Sequence, residues 1–290
     1  MIEVNGRTKV LGIIGNPIEH TQSPAIHNMI SEELGINAVY VPFAANDDVD
    51  AMIKGLYALG VRGVNVTVPY KTDVISRLSG LEDRALRIGA VNTLKYTEDG
   101  FYGYNTDILG LERELTDEGI SLKGRDTVIL GAGGAARAVA FLCASGEPSS
   151  ITLVNRTPAK ADGIRKDLIS YVREKGMEGL SSNIEVIPLD AAGDIKGNDL
   201  IVFQCTNVGL SPRDGECVLS DKAFYDKVSV GVDLIYKPAE TVFMKNVRAA
   251  GGRAFNGLKM LIYQAVSAYE IWNDVKVPAD LIEKIERKLG

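Results

Sequence analysis

Lys71 and Asp107 carry opposite charges and stand among amides and hydroxyls, where a plain core would hold apolar residues. They close the clusters Asn65-Val-Thr67-Val-Pro-Tyr-Lys71 and Gly103-Tyr-Asn105-Thr-Asp107, and a third cluster, Gly89-Ala-Val-Asn92-Thr93, falls between them. Oxidising an alcohol by hydride loss requires the hydroxyl proton to depart, so a positioned acceptor is needed. A lysine beside an aspartate can share that proton: desolvation loosens the ammonium's hold on it, and the carboxylate orients the lysine. The same two residues could also form a structural ion pair, or never meet. Asn65, Thr67 and Asn92 supply the mixed donors and acceptors that a small polyhydroxylated substrate requires. The segment Gly15-Asn-Pro-Ile-Glu-His-Thr21-Gln-Ser23-Pro24 ends a strand and begins a helix, where hydroxyls and free N–H groups suit a carboxylate. Ser23 before Pro24 is equally a good N-cap. Gln264 interrupts an apolar helical stripe and needs a partner, either a substrate hydroxyl or a backbone carbonyl. His20 and His27 read as packing or hydrogen-bonding residues rather than catalysts.

A second constellation is Val128-Ile-Leu130 followed by Gly131-Ala132-Gly133-Gly134-Ala135-Ala136-Arg137. A buried strand runs into a G-x-G-x-x-A turn and then a strong helix former. Gly131 allows the tight turn, Gly133 admits a pyrophosphate, and Ala136 lets helix and strand pack. The helix N-terminus offers free N–H groups to the phosphates. The next strand, Ile151 to Val154, ends where an NAD site keeps an acid for the ribose. Here it ends in Asn155-Arg156-Thr157, with Lys160 beyond. A planar cation between small hydrogen-bonding residues suits a 2′-phosphate, so NADP is expected rather than NAD. The missing acid also counts against S-adenosylmethionine; a solvated loop arginine is the bland alternative.

These groups need elements to carry them. Apolar runs Val10 to Ile14, Val39 to Phe43, Val64 to Val68 and Val91 to Leu94 alternate with helical patterns over Pro24 to Leu34 and Val49 to Leu59, the signature of a mostly parallel sheet. The polar clusters then fall at strand ends, where open α/β sheets bind ligands. Asp107 begins a helix through Leu115. From Gly124 the alternation restarts, with strands near 128, 151, 184, 200 and 229 and a last one at Arg253 to Phe255. Leu258, Leu261, Ile262, Ala265, Ala268, Tyr269 and Trp272 form an i, i+3, i+4, i+7 stripe, a helix expected to pack back on the first domain. The fold class is therefore α/β with two α/β domains: 1–107, completed by the C-terminal helices of 257–290, and a doubly wound Rossmann domain over 108–256.

The 290 residues, 46% apolar and 24% charged, describe an ordinary soluble α/β chain of about two domains. A net charge of −6 gives no reason to expect nucleic acid or an anionic membrane as partner. With only two histidines, and with Cys143, Cys205 and Cys217 outside any C-x-x-C spacing, no metal site built on His and Cys is expected, although Asp and Glu alone could bind a hard cation, and a reduced, cytoplasmic compartment is expected. No apolar run approaches the roughly 20 residues of a membrane span.

Taken in order, these motifs, with Asn256-Gly-Leu-Lys-Met-Leu-Ile-Tyr-Gln264, resemble the shikimate dehydrogenase family, which includes the quinate/shikimate dehydrogenases. The resemblance covers nearly the whole chain. It implies reversible, NADP-linked reduction of 3-dehydroshikimate to shikimate, on the route to aromatic amino acids. It further implies Lys71 and Asp107 as the catalytic pair, Thr21, Ser23 and Tyr236 at the substrate carboxylate, and Asn65, Thr67, Asn92 and Gln264 on the ring hydroxyls. Gly257 and Met260 would lie beside the nicotinamide, in a cleft that closes on the ligands. The family usually has Ser at Thr21, so the added methyl crowds the carboxylate side. Quinate, with an extra hydroxyl there, is the alternative substrate, and broader use of NAD goes with it. The segment Arg165 to Asp190 is longer than in compact family members. A sensor that binds NADP without turnover is the reading from another class; it has no need of a proton-transfer pair. The expected state is monomer or homodimer.

Overall fold

The apolar β-branched runs become the strands, and their polar ends become the turns between layers. The computed structural model describes residues 3–45 and 48–290. Two compact units divide it, Met1–Leu111 with Leu261–Gly290, and Glu112–Met260.

The first unit contains β1 (Lys9–Gly15), α1 (Ser23–Glu33), β2 (Ala38–Ala44), α2 (Val49–Ala58), β3 (Gly63–Val66), β4 (Gly80–Leu81), α3 (Asp83–Ile88), β5 (Thr93–Thr97), β6 (Gly100–Tyr104) and the start of α4 (Thr106–Asp117). Its sheet runs β2-β1-β3-β5-β6-β4. Only β5 opposes its neighbours. This corrects the expected placement of the polar cluster Gly89 to Thr93: the strand anticipated over Val91 to Leu94 begins at Thr93 and runs antiparallel. Asn92 therefore precedes its strand instead of ending it. Because β5 is reversed, its first residue still falls on the edge where β3 and β6 end, with Asn65 opposite Thr93 and Thr93 opposite Tyr104.

The second unit holds β7 (Asp126–Leu130), α5 (Gly134–Ser145), β8 (Ser150–Asn155), α6 (Pro158–Glu174), α7 (Glu178–Ser181), β9 (Ile184–Pro188), β10 (Leu200–Gln204), α8 (Lys222–Tyr225), β11 (Val228–Asp233), α9 (Val242–Ala249) and β12 (Arg253–Phe255). Its six strands, in the order β12-β11-β10-β7-β8-β9, are all parallel, the doubly wound arrangement with its switch point between β7 and β10. The long segment 165–190 supplies most of α6, all of α7 and β9.

The chain returns to the first unit through α10 (Leu258–Asn273) and ends with α11 (Ala279–Leu289). The apolar stripe of α10 is buried there. Trp272 donates its indole N–H to Leu94 O at 2.8 Å, and Tyr269 Oη lies 2.9 Å from Ser31 Oγ. Among the described residues no helix is long and apolar enough to cross a membrane.

Candidate active site

At the shared edge of the first sheet, Lys71 Nζ donates to Asp107 Oδ2 at 2.7 Å. Both side chains remain partly open to solvent, 31% and 23%. That leaves the lysine reachable by a ligand. The loop that bears it is held from behind, because Lys71 O accepts from Val91 N–H at 2.8 Å. Asp107 stands in the first turn of α4, where Asn105 Oδ1 accepts from Ile108 N–H in a capping bond. Beside the pair, Asn92 Nδ2 donates to Asp107 Oδ1 at 2.8 Å and lies 3.5 Å from Gln264 Oε1.

Asn65 is fixed on three sides. Its Oδ1 accepts from the buried Tyr40 hydroxyl at 2.7 Å, and its Nδ2 donates to Asn92 O and Thr93 Oγ1 at 3.1 and 3.0 Å. Both amide hydrogens are thus committed inside the protein. The loop after β1 brings Thr21 beside Ser23, their hydroxyls 3.2 Å apart. Ser23 is not the N-cap of α1: Gln22 occupies that place without a side-chain bond, so the Ser23 hydroxyl is not spent on capping. Thr67, half-buried, follows β3 with its N–H bonded to Ile14 O. Gln264 donates to Leu261 O, one turn back in its own helix, at 2.8 Å. Its oxygen remains beside Asn92.

His27 is fully buried and stacks on Tyr40, ring centroids 4.2 Å apart, with Trp272 at 5.2 Å. Among the described residues, neither ring nitrogen has a hydrogen-bond partner in good geometry. Burial holds the imidazole down at about 3, offset only in part by the neighbouring Asn65 amide.

In the second unit, Gly131 follows β7 with φ +118°, and a Cβ there would stand 3.1 Å from Thr206 Cγ2 and 3.3 Å from Cys205 O. A side chain would be both strained and crowded. Gly133 is the N-cap of α5 and, having no side chain, makes no capping bond to the helix start. Gly133 and Gly134 face open space, Ala132 is half-buried, Ala135 is exposed and Ala136 is buried. The first-turn N–H groups of a twelve-residue helix are thus bare to an approaching anion. At the end of β8, Asn155 Nδ2 closes the turn onto Thr157 O at 2.8 Å. Arg156, Thr157 and Lys160 are exposed there, and no carboxylate ends the strand. These residues fit a dinucleotide with a phosphate on its ribose.

Asp233 ends β11 fully buried, accepting from Thr241 Oγ1 (2.6 Å), Ile235 N–H (3.0 Å) and Gln204 Nε2 (3.4 Å). Burial pushes its carboxyl up to about 6, against the pull of those bonds. It anchors the stretch leading to Tyr236, and Gly257 N–H joins the same stretch at Ile235 O, 3.1 Å. Met260 is half-buried at the end of this unit. Among the described residues no cluster of three or more His, Cys, Asp or Glu is arranged to hold a metal ion.

Residues 13–94 match the model of the shikimate dehydrogenase substrate binding domain, and residues 257–285 that of the shikimate 5'-dehydrogenase C-terminal domain. A shikimate dehydrogenase (NADP(+)) of Methanothermobacter thermautotrophicus is 38% identical over 281 residues, covering 97% of this chain and 96% of the relative. The chain belongs to the shikimate dehydrogenase family. A solved family member in complex with NADP+ superposes with a TM-score of 0.87 at 36% identity, covering 99% of this chain and 97% of that one. Another, from Thermus thermophilus in complex with NADP(H) and shikimate, gives 0.82 at 30% identity over 97% of this chain and 99% of that one.

Within that family fold, Lys71, Asp107, Asn92 and Gln264 gather into one group, while Asn65, Ser23 and Thr21 form its flank. Tyr236 belongs to the other unit, with all the residues of the nucleotide turn. Sequence reasoning missed Tyr40, which reads as an ordinary strand aromatic, and gave no separate role to Thr93 or Thr106. For the two threonines the available signal was their place inside polar clusters, and Tyr40 gave none.

Proposed function

We propose that this chain interconverts shikimate and 3-dehydroshikimate with NADP. The observation that carries the reading is the 2.7 Å Lys71–Asp107 pair, partly open to solvent at an edge lined by amides and hydroxyls. NADP⁺ supplies the hydride acceptor when bound. Lys71 takes the proton of the alcohol that is oxidised and returns it in reduction, and Asp107 holds the lysine and balances its charge. Thr21 and Ser23 take the substrate carboxylate at the start of α1. Asn65, Thr67 and Gln264 hold the ring hydroxyls, while Asn92, whose amide is bonded within the protein, stands beside them against Asp107. On the cofactor, Gly131 to Ala135 meet the pyrophosphate, Asn155, Arg156, Thr157 and Lys160 the 2′-phosphate end, and Gly257 and Met260 the nicotinamide. The three cysteines are free, which fits a reducing cytoplasm.

The test is an initial-rate grid that follows nicotinamide absorbance with shikimate or quinate and NADP⁺ or NAD⁺. Fast turnover of shikimate with NADP⁺ alone supports the reading. Comparable rates with quinate would assign the chain to the broader branch and make Thr21 a determinant of choice. No hydride transfer with any pair, but thermal stabilisation by NADP⁺, would make it a sensor.

A further inference from the structure

Asn92 spends both amide hydrogens inside the protein, one on Thr106 Oγ1 at 3.0 Å and one on Asp107 Oδ1 at 2.8 Å. Its oxygen accepts from the backbone N–H of Thr106 at 2.7 Å and from the Thr93 hydroxyl at 3.1 Å. The two threonine hydroxyls lie 2.9 Å apart, and Thr93 Oγ1 also accepts from Asn65 Nδ2 at 3.0 Å. A closed ring results. Thr106 donates to Thr93, Thr93 to the Asn92 oxygen, and the Asn92 nitrogen back to Thr106. Thr106 Oγ1 also stands 3.2 Å from Asn92 Oδ1, so the alternative in which Thr93 donates to Thr106 is equally complete. In either sense every hydrogen has an acceptor.

Both threonines are fully buried, so water is not there to replace a lost hydroxyl. The ring also selects one orientation of the Asn92 amide. Reversed, the amide would set its oxygen against the Asp107 carboxylate and its nitrogen against the Thr106 N–H, acceptor on acceptor and donor on donor.

We infer that Thr93 and Thr106 are positioning residues: through Asn92 they fix Oδ1 of Asp107 and so leave Oδ2 to Lys71 Nζ. The ring stands on geometry alone; its catalytic consequence rests on the dehydrogenase reading. Thr106 is placed for this by its neighbours in sequence and space. It directly precedes Asp107, its backbone holds the Asn92 oxygen and its side chain holds the Asn92 nitrogen.

The test compares Thr106→Val, which keeps the shape and removes the hydroxyl, with Thr106→Ser, which keeps the hydroxyl. Thr93→Val and Thr93→Ser provide the same comparison should Thr106→Val fail to fold. Each valine variant should lose roughly 10- to 100-fold in kcat with NADP⁺ and shikimate, the scale of a misplaced catalytic group. KM for shikimate should move much less, and each serine variant should recover most of the loss. A second readout uses the ¹⁵N-labelled protein without substrate, with the Asn92 amide protons assigned by their loss in Asn92→Ser. They should exchange slowly with water in wild type and serine variants and quickly in valine variants. Valine variants with wild-type kcat, serine variants no better than valine, or fast exchange already in the wild type would each overturn the inference. If the wild type itself fails to oxidise shikimate, the dehydrogenase reading falls, while the exchange measurement still decides whether the ring exists.

Discussion

Lys71 and Asp107 were readable as candidates because each closes a cluster of amides and hydroxyls; alone, the two charges would read equally well as a structural ion pair. The sequence left open whether they meet, and the reversed β5 is what aligns their strands. Lys71→Ala should lower turnover of shikimate by roughly 10²- to 10⁴-fold, the contribution of a positioned acid or base; near-normal kcat would remove the lysine from the reaction. Arg156 is exposed at the end of β8. Arg156→Ala should weaken NADP⁺ by about 10- to 100-fold, the worth of a charged hydrogen bond, and leave NAD⁺ nearly unchanged. Equal losses in titrations of both cofactors would place the arginine away from the 2′-phosphate. The aromatic enclosure of His27 and the hydroxyl ring around Asn92 were not legible, since each is built from residues far apart in the chain that look ordinary one at a time. His27 makes a pH prediction. The unfolded chain takes up its proton near 6.5, and the folded chain waits until about 3. The histidine's contribution to stability is therefore complete above 6.5 and declines as pH falls through that window. Against wild type, His27→Phe should gain up to ~1.4 kcal/mol per pH unit on acidification between these values, whatever packing it loses. A stability difference independent of pH, measured by urea unfolding at several pH values, would contradict this. Asp233, raised from 3.8 to about 6, acts in the opposite sense between those two values.

At the scale of elements, helices and long strands were plain from their periodicity, because an amphipathic stripe or a β-branched run has a local cause. The two-residue β4 and the direction of β5 were not, since pairing partners are chosen by the sheet and not by the segment. The place of α10 is likewise a matter of fit. At Gly63 on β3 an added Cβ would lie 2.4–2.5 Å from the Trp272 indole carbons. The indole is buried and tethered to Leu94, so it cannot swing aside. Gly63→Ala should therefore cost about 1–3 kcal/mol through overpacking. Thermal unfolding reads this as a lower Tm, and an unchanged Tm would show that α10 is not seated there.

For the whole molecule, each unit has its own sheet and its own set of candidate ligand residues. Hydrogen exchange should report them separately. With NADP⁺ at about 100 times Kd, amides of 131–137 and 155–160 should gain protection of up to ~2.7 kcal/mol, while shikimate should protect 65–71 and 92–107. Protection by NADP⁺ confined to the first unit would overturn the assignment of the glycine-rich turn. The two-part organisation was visible in the sequence because a second nucleotide-type alternation begins after Gly124 and the closing helical stripe belongs to neither alternation.

The departure of the chain at Leu111 and its return at Leu261 also set an order of events during synthesis. The second unit is one continuous stretch and can fold as it emerges from the ribosome. The first must wait with the Gly63 face of its sheet uncovered until α10 has been made, about 150 residues later at roughly 5–20 residues per second. For that interval the nascent chain exposes the very surface that Trp272 later closes, and chaperone demand should fall on this half of the protein.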